Sequence, residues 1–137
     1  PFLVVNSDVI WMDGRKGALK LLEQFWRDPD MDALLLMCET VTAIGYSGVG
    51  DFMMADDGRL FRREEQCVSP FVFSGIQILH PRLFEGENFH PFSLNQLYDK
   101  AARRGRLYGL IHEGGWMHVG TPDGVAAAEQ VLLTFSK

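Results

Sequence analysis

Ten residues near one end of the chain, Phe2-Leu3-Val4-Val5-Asn6-Ser7-Asp8-Val9-Ile10-Trp11, constrain its fold more than any other stretch. Apolar residues run straight into Asn-Ser-Asp with no turn before them. A continuous apolar run of this kind suits a strand buried on both faces of a parallel sheet. Asp8 then falls at the strand's C-terminal end, the edge at which open α/β sheets bind ligands. A carboxylate there can hold a divalent cation, and the cation can hold phosphates. Asp8 can equally cap a loop and do nothing more; the stretch alone leaves both readings open.

A chain of 137 residues suits one domain with a real core. Its net charge of −5 disfavours a nucleic-acid groove, which needs clustered Lys and Arg. The basic groups, Arg62-Arg63 and Arg103-Arg104-Gly105-Arg106, are short and read as solvated faces. Cys38 and Cys67 have no neighbour at metal-ligand spacing, so a reduced, cytoplasmic protein is the simple expectation. No apolar run reaches membrane-spanning length. The first residue is Pro1 and a core strand follows at once, which reads as a fragment.

Along the chain, residues 15–27 carry apolar positions at helical spacing (Ala18, Leu19, Leu21, Leu22, Phe25, Trp26), and Asp28-Pro29-Asp30 stops them. Ala33 to Met37 is the next buried strand. Strand, helix, strand predicts a βαβ unit with parallel pairing. The glycine-rich loop Gly45 to Asp51 precedes a hairpin in which Asp56-Asp57-Gly58 joins Phe52–Ala55 to Arg59–Arg62. Phe71 to Leu79 is another buried strand, and residues 85–91 form a loop. Ser93 caps a helix that Gly105 closes, and Thr121 with Pro122 starts a last helix. Leu107–Ile111 and Trp116–Val119 flank Glu113-Gly114-Gly115, which reads as a second hairpin.

Three constellations could carry chemistry. Gly45, Gly48 and Gly50 do not match the dinucleotide pattern, and a hairpin follows them, so no helix N-terminus is offered to a phosphate. Close backbone approach to another part of a ligand remains open. In Trp116-Met117-His118-Val119-Gly120-Thr121-Pro122 a strand ends and a helix begins, again a ligand edge. His118 there is either a packed structural residue or faces Asp8 and shares its cation or phosphate. Glu64 and Glu65 are either simply exposed or aim a carboxylate at sugar hydroxyls.

Taken in order, Phe2–Asp8 with Trp11, Gly50-Asp51, Phe73-Ser74-Gly75-Ile76, Phe92-Ser93-Leu94-Asn95 and Trp116–Pro122 resemble the sugar-1-phosphate nucleotidyltransferases, or sugar-nucleotide pyrophosphorylases. The likeness is greatest to mannose-1-phosphate guanylyltransferase-like and N-acetylmuramate-1-phosphate uridylyltransferase-like members. It implies an α/β, Rossmann-like fold with a mixed, mainly parallel sheet flanked by helices. It implies a Mg2+-dependent reaction in which a sugar 1-phosphate attacks the α-phosphate of a nucleoside triphosphate and pyrophosphate leaves. Asp8 falls on the family's metal aspartate, and Asn6 and Trp11 lie beside it on the substrate side. Gly50 falls where backbone approaches the sugar, Glu65 on the glutamate that binds sugar hydroxyls, and Ser74 and Gly75 on a second sugar-side wall.

The chain also departs from the family. His118 stands where a second metal aspartate is usual, and Mg2+ prefers oxygen. Gln66 stands where a lysine often follows the sugar glutamate. The glycine-rich G-x-G-[ST]-R-x-x-P loop that cradles the triphosphate is absent. Residues 1–137 are therefore expected to be the C-terminal portion of one nucleotidyltransferase domain, carrying the metal aspartate and the sugar-phosphate side. The expected partners are a nucleoside triphosphate, a sugar 1-phosphate and a missing N-terminal portion or partner chain, with no nucleic acid and no membrane. A non-catalytic binding or regulatory relative is the alternative. A phosphatase-like use of Asp8 and Asp13 is set aside, because that chemistry wants two aspartates closer in sequence.

Overall fold

The computed structural model describes residues 1–88 and 93–136. Phe92, and residues 89–91 of the expected 85–91 loop, lie outside the described residues. The elements run β1 (Phe2–Val5), β2 (Val9–Trp11), α1 (Ala18–Phe25), β3 (Ala33–Glu39), β4 (Phe52–Met54), β5 (Leu60–Arg62), β6 (Phe71–Leu79), α2 (Leu94–Arg103), β7 (Leu107–Ile111), β8 (Trp116–His118) and α3 (Pro122–Phe135). The main sheet has the order β5-β4-β6-β3-β7, with β1 paired to the later half of β6; β2 and β8 form a separate ribbon.

β3 shows why the layers form. Its first six residues are buried, and they alternate between faces as a strand requires. Ala33, Leu35 and Met37 pack with Leu97, Tyr98 and Ala101 of α2, whereas Leu34 and Leu36 pack with Ala18 and Leu22 of α1. Each fully buried leucine contributes about 1.5–3 kcal/mol, so β3 anchors both helices. The helix ends follow local chemistry. Asp13 Oδ1 accepts from the Ala18 amide (2.9 Å) at the start of α1. Ser93 and Thr121 cap α2 and α3, and Gly105 leaves α2 at φ 66°, a conformation glycine adopts without a steric penalty.

The far end of β3 is held by charge. Asp32 is buried, and its Oδ1 accepts from Arg82 Nε (2.6 Å) and Arg106 Nε (2.8 Å). Arg82 also donates to the Met31 carbonyl and Arg106 to the Pro29 carbonyl. The cluster thus ties the turn before β3 to the segment after β6 and to the start of β7. Burial alone pushes the Asp32 carboxyl up; the bonds from Arg106 and Arg82 outweigh it and leave the group below its ordinary value.

Several expectations are corrected. The sheet is mixed, but in these residues antiparallel pairs predominate; β3–β7 is the parallel pair of named strands. The first strand and β3 do run in the same direction, yet they do not pair, because β6 lies antiparallel between them. Nor is Phe2–Trp11 one strand buried on both faces. β1 stops at Val5, Asn6-Ser7-Asp8 turns, and Phe2, Leu3 and Val5 are 40–45% exposed because β1 pairs along one edge only. The second hairpin does not form: β7 joins the main sheet beside β3, and β8 pairs with β2. The basic groups are not simply solvated. Arg62 bonds Asp99, Arg63 bonds backbone carbonyls, and Arg106 bonds Asp32.

Candidate functional site

The β2–β8 ribbon brings the two ends of the chain together. Val9 lies opposite His118, and the Val119 amide donates to the Asp8 carbonyl (2.8 Å), which extends the ladder by one step. The Asp8 side chain therefore meets the His118 ring, with Oδ2 3.3 Å from Nε2. Both groups keep access to water, Asp8 at 49% and His118 at 30% side-chain exposure. Behind them Gly45 and Gly124 press on the His118 carbonyl; a Cβ on either would lie 2.5 Å or closer to it. Only glycines let the loop after β3 and the first turn of α3 close so tightly on β8.

A second contact brings β1 into the same place. At the end of β1 the Asn6 amide donates to the Gly75 carbonyl (2.9 Å). Gly75 has φ +84°, and a Cβ there would lie 2.9 Å from Asn6 Nδ2. The glycine thus allows the Asn6 side chain to lie flat against β6. Ser74, beside it, is buried; its hydroxyl accepts from the Ile76 amide (3.2 Å), and its carbonyl accepts from Trp116 Nε1 (2.9 Å).

These groups enclose a cavity of about 250 Å³. Asn6, Asp8, Ser74, Gly75 and His118, all singled out in the sequence, line it. Tyr46, Asp51, Phe73 and Trp116 line it too, and sequence reasoning did not assign them a role. Asp51 Oδ2 accepts from the Phe73 amide (2.8 Å), and the Tyr46 and Trp116 rings meet edge to face at 6.5 Å. Asp51 and Trp116 did stand inside the motifs that carry the family resemblance, which was the signal available for them. Three other expected site residues lie off the lining. Trp11 packs behind the cavity with Cys38, Val72 and Trp116. Gly50 is buried at φ +83° between the carbonyls of Ser69 and Phe71. Glu65 is exposed in the turn after β5.

The lining holds two carboxylates, an imidazole, an amide, a phenol and a hydroxyl, and it has no Lys or Arg. Such a wall suits hydroxyl-rich ligands and cations, and it offers an anion no side-chain counter-charge of its own. Among the described residues no group of three or more His, Cys, Asp and Glu stands close enough to hold a metal ion. One exposed carboxylate, Asp8, nevertheless fits Mg2+, which is commonly held by one or two carboxylates together with substrate phosphates and water. The Cys38 thiol behind the cavity is pushed up to about 12 by burial and stays a neutral packing group. A larger, mainly apolar cavity of about 600 Å³ opens between β1 and α1, lined by Phe2, Leu3, Leu19, Trp26 and Ile78. It holds none of the sequence-predicted site residues. Among the described residues no helix is long and apolar enough to cross a membrane.

No family model matches the chain. N-acetylmuramate alpha-1-phosphate uridylyltransferase of Caulobacter vibrioides is 33% identical over 132 residues, which span 96% of this chain and 54% of that protein. Mannose-1-phosphate guanylyltransferase catalytic subunit beta of Danio rerio is 29% identical over 129 residues, 89% of this chain and 33% of that one. Among solved structures, apo UDP-glucose pyrophosphorylase superposes with a TM-score of 0.72 at 16% identity, over 99% of this chain and 55% of that one. A Bacillus anthracis structure described as a glucose-1-phosphate thymidylyltransferase gives 0.66 at 15%, over 94% and 53%. At these identities the structural likeness establishes the fold. The chain spans between a third and about half of the length of the curated relatives it matches.

Proposed function

We propose, from the premise that the curated relatives of this chain are sugar-1-phosphate nucleotidyltransferases, that it carries the metal-aspartate and sugar-phosphate side of such an enzyme. The reaction joins a phosphate oxygen of a sugar 1-phosphate to the α-phosphorus of a nucleoside triphosphate and breaks the α–β phosphoanhydride bond, so that pyrophosphate leaves. The observation that carries the reading is convergence. Asp8, His118, Asn6, Ser74 and Gly75 come from both ends and the middle of the sequence and meet at one cavity.

Asp8 is the residue to hold Mg2+, whose chemistry would be to neutralise charge on the reacting phosphates. His118 stands against Asp8 and either completes the metal's surroundings or fixes the carboxylate. Asn6, Ser74 and Gly75 form the sugar wall, and Glu65, off the lining in the turn after β5, accepts from sugar hydroxyls. The cavity lining supplies no Lys or Arg for the phosphates, so that charge falls to the cation and to polypeptide beyond this half of the fold. The same polypeptide is the expected cover for the free edge of β1 and the apolar cavity beside α1. A cytoplasmic, reduced setting fits the two free cysteines.

Asp8→Asn in the full protein tests the reading. Removing one charge beside the reacting phosphates should cut pyrophosphate release in excess Mg2+ by about 10²–10³-fold with the fold intact. Near-normal turnover would remove Asp8 from the mechanism. The replacement of the second metal aspartate by His118 favours one rival, a non-catalytic relative that only binds ligand. For that rival the unsubstituted protein releases no pyrophosphate from any nucleoside triphosphate and sugar 1-phosphate pair.

A further inference from the structure

Arg63 is partly buried, yet it forms no ion pair within the distance at which the described acidic groups pair with other cations. Its guanidinium is instead surrounded by backbone oxygen. Nε donates to the Gly50 carbonyl (3.1 Å), and Nη1 donates to the carbonyls of Glu64 (2.9 Å), Glu65 (3.1 Å) and Cys67 (2.7 Å). One side chain thus grips two loops: the glycine-rich loop after β3 and the turn after β5. The glycine-rich loop is also closed on itself, because the Gly50 amide donates to the Tyr46 hydroxyl (3.1 Å). Tyr46 lines the cavity, and Asp51, the next residue after Gly50, lines it as well.

We infer that Arg63 is a positioning residue for the sugar pocket: its guanidinium sets the Glu65 turn against the Tyr46–Asp51 wall. This inference rests on the proposed transferase reading. The physical basis is the fork. A planar guanidinium presents donors in two directions from a rigid frame, so it can satisfy Gly50 on one edge and the turn on the other. An ammonium has the same charge but one nitrogen, and it cannot reach both sets of carbonyls at once. Without the fork, carbonyls at the centre of two loops lose their donor, and the loops separate toward water. Neither loop contributes a long strand or helix at this point; among the described residues two backbone bonds also join them, from the Arg63 amide to the Asp51 carbonyl (3.1 Å) and from the Ser69 amide to the Val49 carbonyl (2.8 Å), but both lie at the ends of the turn, and the guanidinium grips its middle.

The test uses the full protein carrying Arg63→Lys and, separately, Arg63→Met. Three readouts are taken: steady-state kinetics in each substrate, amide hydrogen exchange resolved by peptide, and thermal melting. The expected result for both variants is a rise of about tenfold in KM for the sugar 1-phosphate, as loss of roughly one to two charge-assisted hydrogen bonds' worth of positioning implies. kcat and the KM for the nucleoside triphosphate should stay within about threefold. Exchange should accelerate together in residues 45–51 and 63–68 and stay unchanged in β3 and β6. A lower melting temperature with unchanged KM values would assign Arg63 a purely structural role and overturn the inference. Full rescue by Arg63→Lys would overturn it too, since charge alone would then suffice. If the unsubstituted protein transfers no nucleotidyl group, the transferase reading fails on that control; coupled exchange of the two loops then still supports the clamp, and acceleration of only one loop refutes it.

Discussion

Gly120→Ala isolates the geometry of the Asp8–His118 pair from the chemistry of either side chain. Gly120 is exposed and its φ lies outside the left-handed region, so alanine meets no backbone penalty. What it meets is the pair itself: a Cβ would lie 2.8 Å from His118 Cε1, 3.0 Å from Nε2 and 3.1 Å from Asp8 Oδ2. Carbon atoms settle at about 3.5–4.0 Å, so the ring must retreat by roughly 0.7 Å. Both side chains face water and can move aside, which limits the stability cost to about 0.5–1 kcal/mol, or less than about 4 °C in Tm. The Oδ2–Nε2 separation, 3.3 Å in the native protein, then widens by a comparable amount and the close contact of the pair is lost. On the proposed transferase reading, a misplacement of up to 1 Å at a reacting centre costs up to about 10²-fold, so turnover of the full protein should fall by roughly 30–100-fold. Pyrophosphate release and thermal melting on the same preparation make the comparison. Activity within about twofold of the native protein at unchanged Tm would refute a functional role for the pair's geometry. A loss of Tm large enough to account for the loss of activity would make the histidine a packing residue.

Two further outcomes follow from the same structure. Asp32→Asn should lower stability by about 2–3 kcal/mol at neutral pH, at or just below the usual cost of a broken buried pair because both arginines are partly exposed. The folded Asp32 carboxyl lies below its ordinary value of 3.8, so its contribution is present above about pH 4 and disappears as pH falls through the folded value. The gap between the denaturant midpoints of the two proteins should therefore narrow below about pH 4, and a constant gap across that range would show that the Asp32 charge is not the cause. Gly75→Ala places a side chain at φ +84° and within 2.9 Å of Asn6; it should cost about 1–3 kcal/mol by urea unfolding and displace Asn6 from the cavity wall, and an unchanged midpoint would show that this approach is not tight.

What the sequence determined by itself is the local part of this protein. The caps Ser93 and Thr121, the Pro122 helix start, the Gly105 exit and the Asp56-Asp57-Gly58 hairpin formed where they were read, because a cap or a turn involves residues a few positions apart. The continuous apolar run of β3 and the helical spacing of α1 were legible for the same reason: each is a local pattern that states what is buried without saying against what. Pairing was not legible. Nothing local to Phe2–Val5 or Ala33–Met37 records that β6 lies between them, and nothing local to Trp116–His118 records a preference for β2 over β7. Those choices depend on long-range burial shared among several strands, so only the assembled sheet decided them. The site divides along the same line. Asp8, His118, Asn6, Ser74 and Gly75 were named from motifs, each tied to its own stretch of chain. That Asp8 meets His118, that Tyr46, Asp51 and Trp116 complete the wall, and that Arg63 reaches back to the Gly50 carbonyl are facts of the tertiary structure. Each is a contact between backbone or side chains distant in sequence, and a contact of that kind leaves no periodicity or spacing to be read.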